Sequence, residues 1–113
     1  MGTSVDIKSF IRKLIDNTET GSSSWEYHKD NSYRLLLKNG SVIFRLDNSD
    51  PLAGAFYRIN LYDSSQCFAS YSVCSYSDSE NIFDDLDLLY NAILKSEKEK
   101  ENKKIAMLYN DLL

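Results

Sequence analysis

The dipeptide Asn39-Gly40 stands between two apolar segments and restricts the fold more than any other feature of this sequence. Both central residues of a tight hairpin turn need positive φ, which Asn and Gly tolerate best. Apolar alternation and turn chemistry favour one register, so we predict an antiparallel hairpin with strands at 33–38 and 41–47. A two-residue turn sets Lys38 opposite Ser41 and brings six apolar residues to one face as three pairs: Leu37 with Val42, Leu35 with Phe44, and Tyr33 with Leu46.

Three further segments, residues 24–28, 56–62 and 67–76, have the apolar alternation of β-strands. The last two can pair around a loop of two residues or a loop of three. The three-residue loop at 64–66 buries more apolar surface, so we predict its register. Its pairs are Leu61 with Ala69, Ile59 with Tyr71, and Tyr57 with Val73.

Apolar residues spaced three and four apart predict a helix before the strands and another after them. For the first, predicted over 4–19, we expect a cap from Thr3 with Asp6, or from Ser4, and an end at Gly21. The second is predicted over 79–113 and is expected to start at a capping box of Ser77 and Glu80. The first stripe consists of Ile7, Phe10, Ile11, Leu14 and Ile15, and the second includes Ile82, Leu86, Leu89 and Ile93.

The second helix is longer than a domain of this size can cover. As one rigid rod it would extend about 52 Å, and residues 95–104 contain no apolar anchor. Either the helix folds back through a break near Asn102, or its end projects and docks on a partner such as a second copy. We prefer docking. The apolar spacing resumes at Ile105, Leu108, Tyr109 and Leu112.

Strands grouped between two helices are typical of the α+β class. We therefore predict one domain over 1–113: a helix, an antiparallel meander of about five strands, and a long helix, with both helices on one face of the sheet. A chain of 113 residues with 42% hydrophobic residues suits a single core.

The formal net charge of −4 argues against a surface for nucleic acid or anionic lipid, so neither is expected as a partner. No apolar run approaches the roughly 18 to 20 residues that span a bilayer. The first residues show neither the basic region nor the apolar region of a signal peptide, so we expect a cytoplasmic protein.

Few residues suggest chemistry. His28 is the single histidine, and its spacing to other residues indicates no metal ligand or triad partner. Cys67 and Cys74 are seven residues apart, which predicts opposite faces of one strand and no disulfide. The acidic segment 47–50 lacks the pattern of a calcium-binding loop. We expect no metal, no cofactor and no enzymatic activity.

The leading hypothesis is a non-catalytic protein-interaction module that self-associates through its last helix. The alternative is a small-ligand-binding or hydrolytic domain with a site near residues 47–55. An acidic α+β module also resembles bacterial immunity proteins and secretion chaperones in architecture, which implies an immunity, antitoxin or chaperone-like role as a narrower alternative. The candidate interaction residues are Phe56, Tyr62, Phe68, Tyr76, Ile105, Leu108, Tyr109 and Leu112.

Overall fold

The computed structural model describes residues 5–47 and 56–113, in which a helix, five strands and a second helix follow one another. The α+β architecture predicted from the sequence is confirmed. The predicted caps Thr3 and Ser4, and residues 48–55 of the polar connection, lie outside the described residues. The elements are α1 Ile7–Glu19, β1 Glu26–Tyr27, β2 Ser32–Leu37, β3 Gly40–Asp47, β4 Phe56–Asp63, β5 Gln66–Cys74 and α2 Phe83–Asp111.

The five strands form an antiparallel sheet in which each strand pairs with its neighbours in the chain, in the order β1-β2-β3-β4-β5. Both helices pack on the same face of this sheet, as predicted. Their apolar stripes and the inward residues of the strands form the core, whose members include Ile11, Leu14, Leu35, Val42, Phe44, Tyr57, Ile59, Leu86, Leu89 and Ile93. The other face is polar in its centre, where Arg58 donates to Ser72 and Ser70 bonds Asn60.

The β2–β3 hairpin forms where it was predicted, but its register is wrong by two residues. The observed pairs are Leu37 with Gly40, Leu35 with Val42, and Tyr33 with Phe44. The turn residues are therefore Lys38 and Asn39 rather than Asn39 and Gly40. A shift of two residues keeps each side chain on its face, so the predicted apolar face is retained.

Gly40 explains this difference. It is a strand residue, and it is not among the residues with positive φ. A Cβ built on Gly40 would lie 2.0 Å from the carbonyl oxygen of Tyr62 in β4. Glycine is required here because β4 approaches the backbone closely, and this requirement places Gly40 inside β3 instead of in the turn.

Strands β4 and β5 pair in the predicted register: Leu61 with Ala69, Ile59 with Tyr71, and Tyr57 with Val73. The loop itself is tighter than the predicted three residues, because Asp63 pairs with Gln66 around a turn of Ser64 and Ser65. A β-bulge beside Tyr62 accounts for the difference. Tyr62 pairs with Cys67, which leaves Phe68 as the extra residue of β5.

Because of the bulge, the prediction that the two cysteines lie on opposite faces of one strand is wrong. Cys67 pairs with Tyr62 and Cys74 with Phe56, and these partners are six residues apart on β4. An even spacing puts both thiols on the same face of the sheet, not on opposite faces. Both cysteines are free; Cys67 is exposed and Cys74 is buried. Strand β5 ends at Cys74, so the predicted extension to residue 76 is wrong.

The helix starts also differ from the predictions. The N-cap of α1 is Asp6, whose carboxylate accepts a hydrogen bond of 2.8 Å from the Ser9 amide. Helix α2 begins at Phe83 rather than at residue 79, because Asn81 has a φ of 55°. The predicted box of Ser77 and Glu80 is wrong; the Asp78 carboxylate accepts both amides at the helix start, those of Ile82 and Phe83. Gly21, at a φ of 82°, follows the end of α1 as predicted.

Candidate interaction surface

Helix α2 packs on the sheet with its first half and leaves the domain with its second. Leu86, Leu89 and Ile93 are completely buried, whereas every residue of 101–113 is exposed. We call residues 101–113 the C-terminal arm. The helix continues through Asn102 without the break that the sequence allowed. The arm is about 20 Å long, and it raises the radius of gyration to 15.9 Å, against about 13 Å for a compact chain of this length.

Lys100 marks the point where the helix leaves the domain. Its ammonium group donates to the backbone carbonyl of Trp25 at 2.9 Å and pairs with Glu97 at 3.0 Å. The buried indole of Trp25 in turn donates to the hydroxyl of Thr18 at 2.9 Å, and that hydroxyl donates to the carbonyl of Leu14 at 2.7 Å. A continuous set of hydrogen bonds therefore connects α1, the segment before β1, and the base of the arm.

The arm carries an exposed apolar stripe. Ile105, Leu108, Tyr109 and Leu112 follow the spacing of one helix face, and their exposed fractions are 53%, 67%, 60% and 83%. All four were candidate interaction residues in the sequence. Met107 and Leu113 are also exposed but were missed. Met107 does not follow the spacing of the stripe, and Leu113 lies beyond the end of α2 at Asp111. Contiguous exposed apolar surface of this kind marks interaction sites more often than isolated apolar residues do.

A second apolar surface lies at the other end of the helix layer. Here the start of α1, the β2–β3 turn and the adjoining parts of β4 and β5 line a groove with a cavity volume of about 590 Å³. We call it the apolar groove. The residues on which its character depends are Val5, Phe10, Leu37, Tyr62, Phe68 and Tyr71. Sequence reasoning did not find this groove, since its walls come from segments that the chain brings together only on folding.

The apolar groove brings together two of the four aromatic candidates, Tyr62 and Phe68. The bulge makes Phe68 the unpaired residue of β5, and its side chain is 64% exposed at the groove. Phe56 lies at the far end of β4, about 20 Å from Tyr62, and Tyr76 lies beyond the end of β5. The four aromatic residues therefore do not form one continuous face.

Two residues of opposite charge line the groove, one on each wall. Asp6 belongs to the start of α1, and Lys38 belongs to the β2–β3 turn. Hydrogen bonds from the backbone and side chain of Ser9 lower the pKa of Asp6, so its carboxylate is ionised at neutral pH. The lining of the groove thus combines mostly apolar side chains with one acidic and one basic residue.

Two further polar contacts hold helix α2 against α1 and against the sheet. Asp85 pairs with Lys8 at 3.0 Å and with Arg12 at 3.7 Å, which ties α1 to α2. The hydroxyl of Tyr57 donates to the Asp87 carboxylate at 2.5 Å. Burial, followed by this hydrogen bond, raises the pKa of Tyr57, so its phenol stays protonated at neutral pH.

The residues considered for chemistry are dispersed. His28 is exposed at the turn after β1, and neither His28 nor Asp47 lines the apolar groove. Within residues 5–47 and 56–113, no three His, Cys, Asp or Glu side chains are grouped closely enough to hold a metal ion. The alternative site near 47–55 falls largely outside the described residues.

The comparisons with known proteins returned no match: no family model, no curated protein and no solved structure is similar to this chain. In the described part of the chain, neither helix combines the length and the apolar character needed to cross a membrane.

Proposed function

We propose that this protein is a non-catalytic interaction module that docks on a protein partner through its C-terminal arm. The observation that carries the proposal is the apolar stripe of Ile105, Leu108, Tyr109 and Leu112, presented to solvent on a helix that the domain holds rigidly at its base. Amphipathic helices with anchors at this spacing bind by laying one face into an apolar groove.

Energetics support a docked state for this stripe. Burying a side chain the size of Leu or Ile contributes about 1.5–3 kcal/mol. The arm is already helical up to Asp111, so a partner does not have to order the backbone, and less binding free energy is lost to conformational entropy. A preformed helix with four exposed anchors therefore favours association.

Leu108 and Met107 offer a matched pair of variants for a test. The two residues are adjacent and their exposed fractions are 67% and 69%, but a step of 100° around the helix puts Met107 outside the stripe. Leu108→Lys should prevent docking, whereas Met107→Lys should permit it. Both variants keep a good helix former and add a positive charge near a helix C-terminus, so their effects on the helix are alike.

The measurement compares the proteins captured from native extract, and the mass in solution by light scattering, for the wild type and both variants. Loss of association in Leu108→Lys alone supports the proposal. If Leu108→Lys keeps the same partners and the same mass as Met107→Lys, the arm is not the docking element and the proposal is wrong.

A further inference from the structure

We propose that the partner of the arm is a second copy of this chain: the C-terminal arm of each copy docks in the apolar groove of the other. The inference rests on the proposed function, because it takes the arm as the docking element. It adds the identity of the receiving surface, which is the groove lined by the start of α1, the β2–β3 turn and the adjoining parts of β4 and β5.

The arm cannot reach the groove of its own chain. The groove includes the start of α1, and Lys8 in that segment pairs with Asp85 at 3.0 Å near the start of α2. Ile105 follows Asp85 by twenty residues of continuous helix, which is about 30 Å. The hydrogen bond from Lys100 to Trp25 fixes the direction of the helix as it leaves the domain. An arm that docks in this groove therefore has to come from another molecule.

The area that a stable interface buries favours a dimer in which each arm docks in a groove over a dimer in which the two arms pack on each other. A stable interface buries about 800 Å² per partner, with roughly 20–30 residues on each side. The apolar part of the arm, 105–113, has only nine residues, so two arms packed on each other fall short of this size. Reciprocal exchange engages two arms and two grooves, and in a two-fold dimer each contact occurs twice.

Two charged residues of the arm complement the two charged residues that line the groove. Lys104 and Asp111 carry opposite charges at the two ends of the apolar part of the arm, about 10 Å apart along the helix. The groove is lined by Asp6 at the start of α1 and by Lys38 in the β2–β3 turn. We assign Lys104 to Asp6 and Asp111 to Lys38, and this assignment fixes the direction in which the arm lies.

The groove offers its own matched pair of variants. Leu37 lines the groove and is 45% exposed, whereas its neighbour Leu36 is 62% exposed and does not line it. Leu37→Lys should disrupt the receiving surface, and Leu36→Lys should leave it intact. Phe68→Lys is a second groove variant, at an exposed bulge residue where a change affects the core little. Circular dichroism establishes that each variant is folded.

The experiment is sedimentation equilibrium of the full chain, with its variants, at concentrations up to about 1 mM. We expect a wild-type dimer. Leu108→Lys, Leu37→Lys and Phe68→Lys should each raise the dimer dissociation constant at least about 100-fold, because both copies lose the contact. Met107→Lys and Leu36→Lys should dimerise like the wild type.

Mixing gives the decisive result. Leu108→Lys keeps an intact groove and Phe68→Lys keeps an intact arm, so an equimolar mixture should form heterodimers through one remaining contact although each variant alone is monomeric. Reversing one charge, with Lys38→Glu or Asp111→Lys, should weaken the dimer, and combining both reversals should restore it.

The outcomes separate this inference from the proposed function. A wild-type monomer throughout the concentration range overturns self-association, and the extract experiment with Leu108→Lys then decides the proposed function. If Leu108→Lys breaks the dimer whereas Leu37→Lys and Phe68→Lys do not, the groove is not the receiving surface. The arm then remains the docking element. A dimer that survives Leu108→Lys overturns this inference, and the extract experiment with Leu108→Lys again decides the proposed function.

Discussion

The ammonium group of Lys100 donates a hydrogen bond of 2.9 Å to the carbonyl of Trp25, a residue 75 positions earlier in the chain. This bond lies where α2 changes from a packed helix into an exposed one. Trp25 is itself buried between the helices and the sheet, with only 1% of its surface exposed. The base of the arm is therefore hydrogen-bonded to a residue of the buried core.

Lys100→Met should destabilise the protein and loosen the base of the arm. The substitution keeps the apolar stem but removes the charged donor from the Trp25 carbonyl, at a cost of about 1–3 kcal/mol in the free energy of unfolding. Urea denaturation measures the loss, and faster hydrogen exchange around residues 96–102 would locate it. Lys98→Met is the control, since exposed pairs such as Lys98 with Glu101 contribute little. Equal stability of the two variants would contradict the prediction.

Thr18→Val should cost about 1–3 kcal/mol although the side chain keeps its shape. The Thr18 hydroxyl accepts the indole N–H of Trp25, and without it a buried donor has no partner. Urea denaturation followed by circular dichroism measures the effect, since this signal is also present in variants without the single tryptophan.

A double-mutant cycle with Trp25→Phe isolates this hydrogen bond. Phe has no N–H, so Thr18→Val should cost clearly less in the Trp25→Phe background than in the wild type. If Thr18→Val costs the same in both backgrounds, the hydroxyl acts only through its bond to the Leu14 carbonyl.

Tyr57 should make stability fall in alkaline solution. Its pKa is raised above the ordinary 10.0, first by burial and then by the hydrogen bond to Asp87. Below pH about 10 the phenol is protonated in both states; above it the unfolded chain loses this proton while the folded chain keeps it, so the free energy of unfolding decreases. Tyr57→Phe should lose about 1 kcal/mol at neutral pH.

Comparing the wild type with Tyr57→Phe tests whether ionisation of Tyr57 lowers the free energy of unfolding at high pH. Phe cannot ionise, so the stability difference between the two proteins should narrow as the pH rises above about 10. Urea denaturation at several pH values measures the difference. Tyr109→Phe, in the exposed arm, is the control and should follow the wild type throughout. A difference that stays constant with pH would refute the assignment to Tyr57.

Periodicity in the sequence was sufficient to identify the buried faces of β2, β3 and α2. Alternation put Leu35 and Phe44 on the buried face, and the spacing of Leu86, Leu89 and Ile93 defined the packed stripe of α2. The absence of apolar residues at 95–104 correctly indicated that α2 stops packing on the domain in this segment. Periodicity alone could not decide between a break and a projecting arm, because both satisfy the same pattern of apolar residues.

Features that depend on contacts between distant residues were not predictable. The start of α2 follows from the Asp78 carboxylate, which reaches two amides beyond a residue of positive φ. The apolar groove depends on the bulge at Phe68, and a bulge leaves no mark in an alternating pattern. The register of the first hairpin depended on a carbonyl 22 residues away from Gly40.

Gly40 leads to a prediction that separates two roles of glycine. Gly21 has a φ of 82° and open space around it, so Gly21→Ala should cost about 1 kcal/mol from backbone strain alone. Gly40→Ala has no such strain, but its Cβ would meet the Tyr62 carbonyl oxygen at 2.0 Å, and β3 and β4 must move apart. We expect a loss of about 2–3 kcal/mol, with faster hydrogen exchange in both strands. Urea denaturation of both variants measures the two losses of stability. If Gly40→Ala is no more destabilising than Gly21→Ala, the close approach of β4 is not the reason for the glycine at position 40.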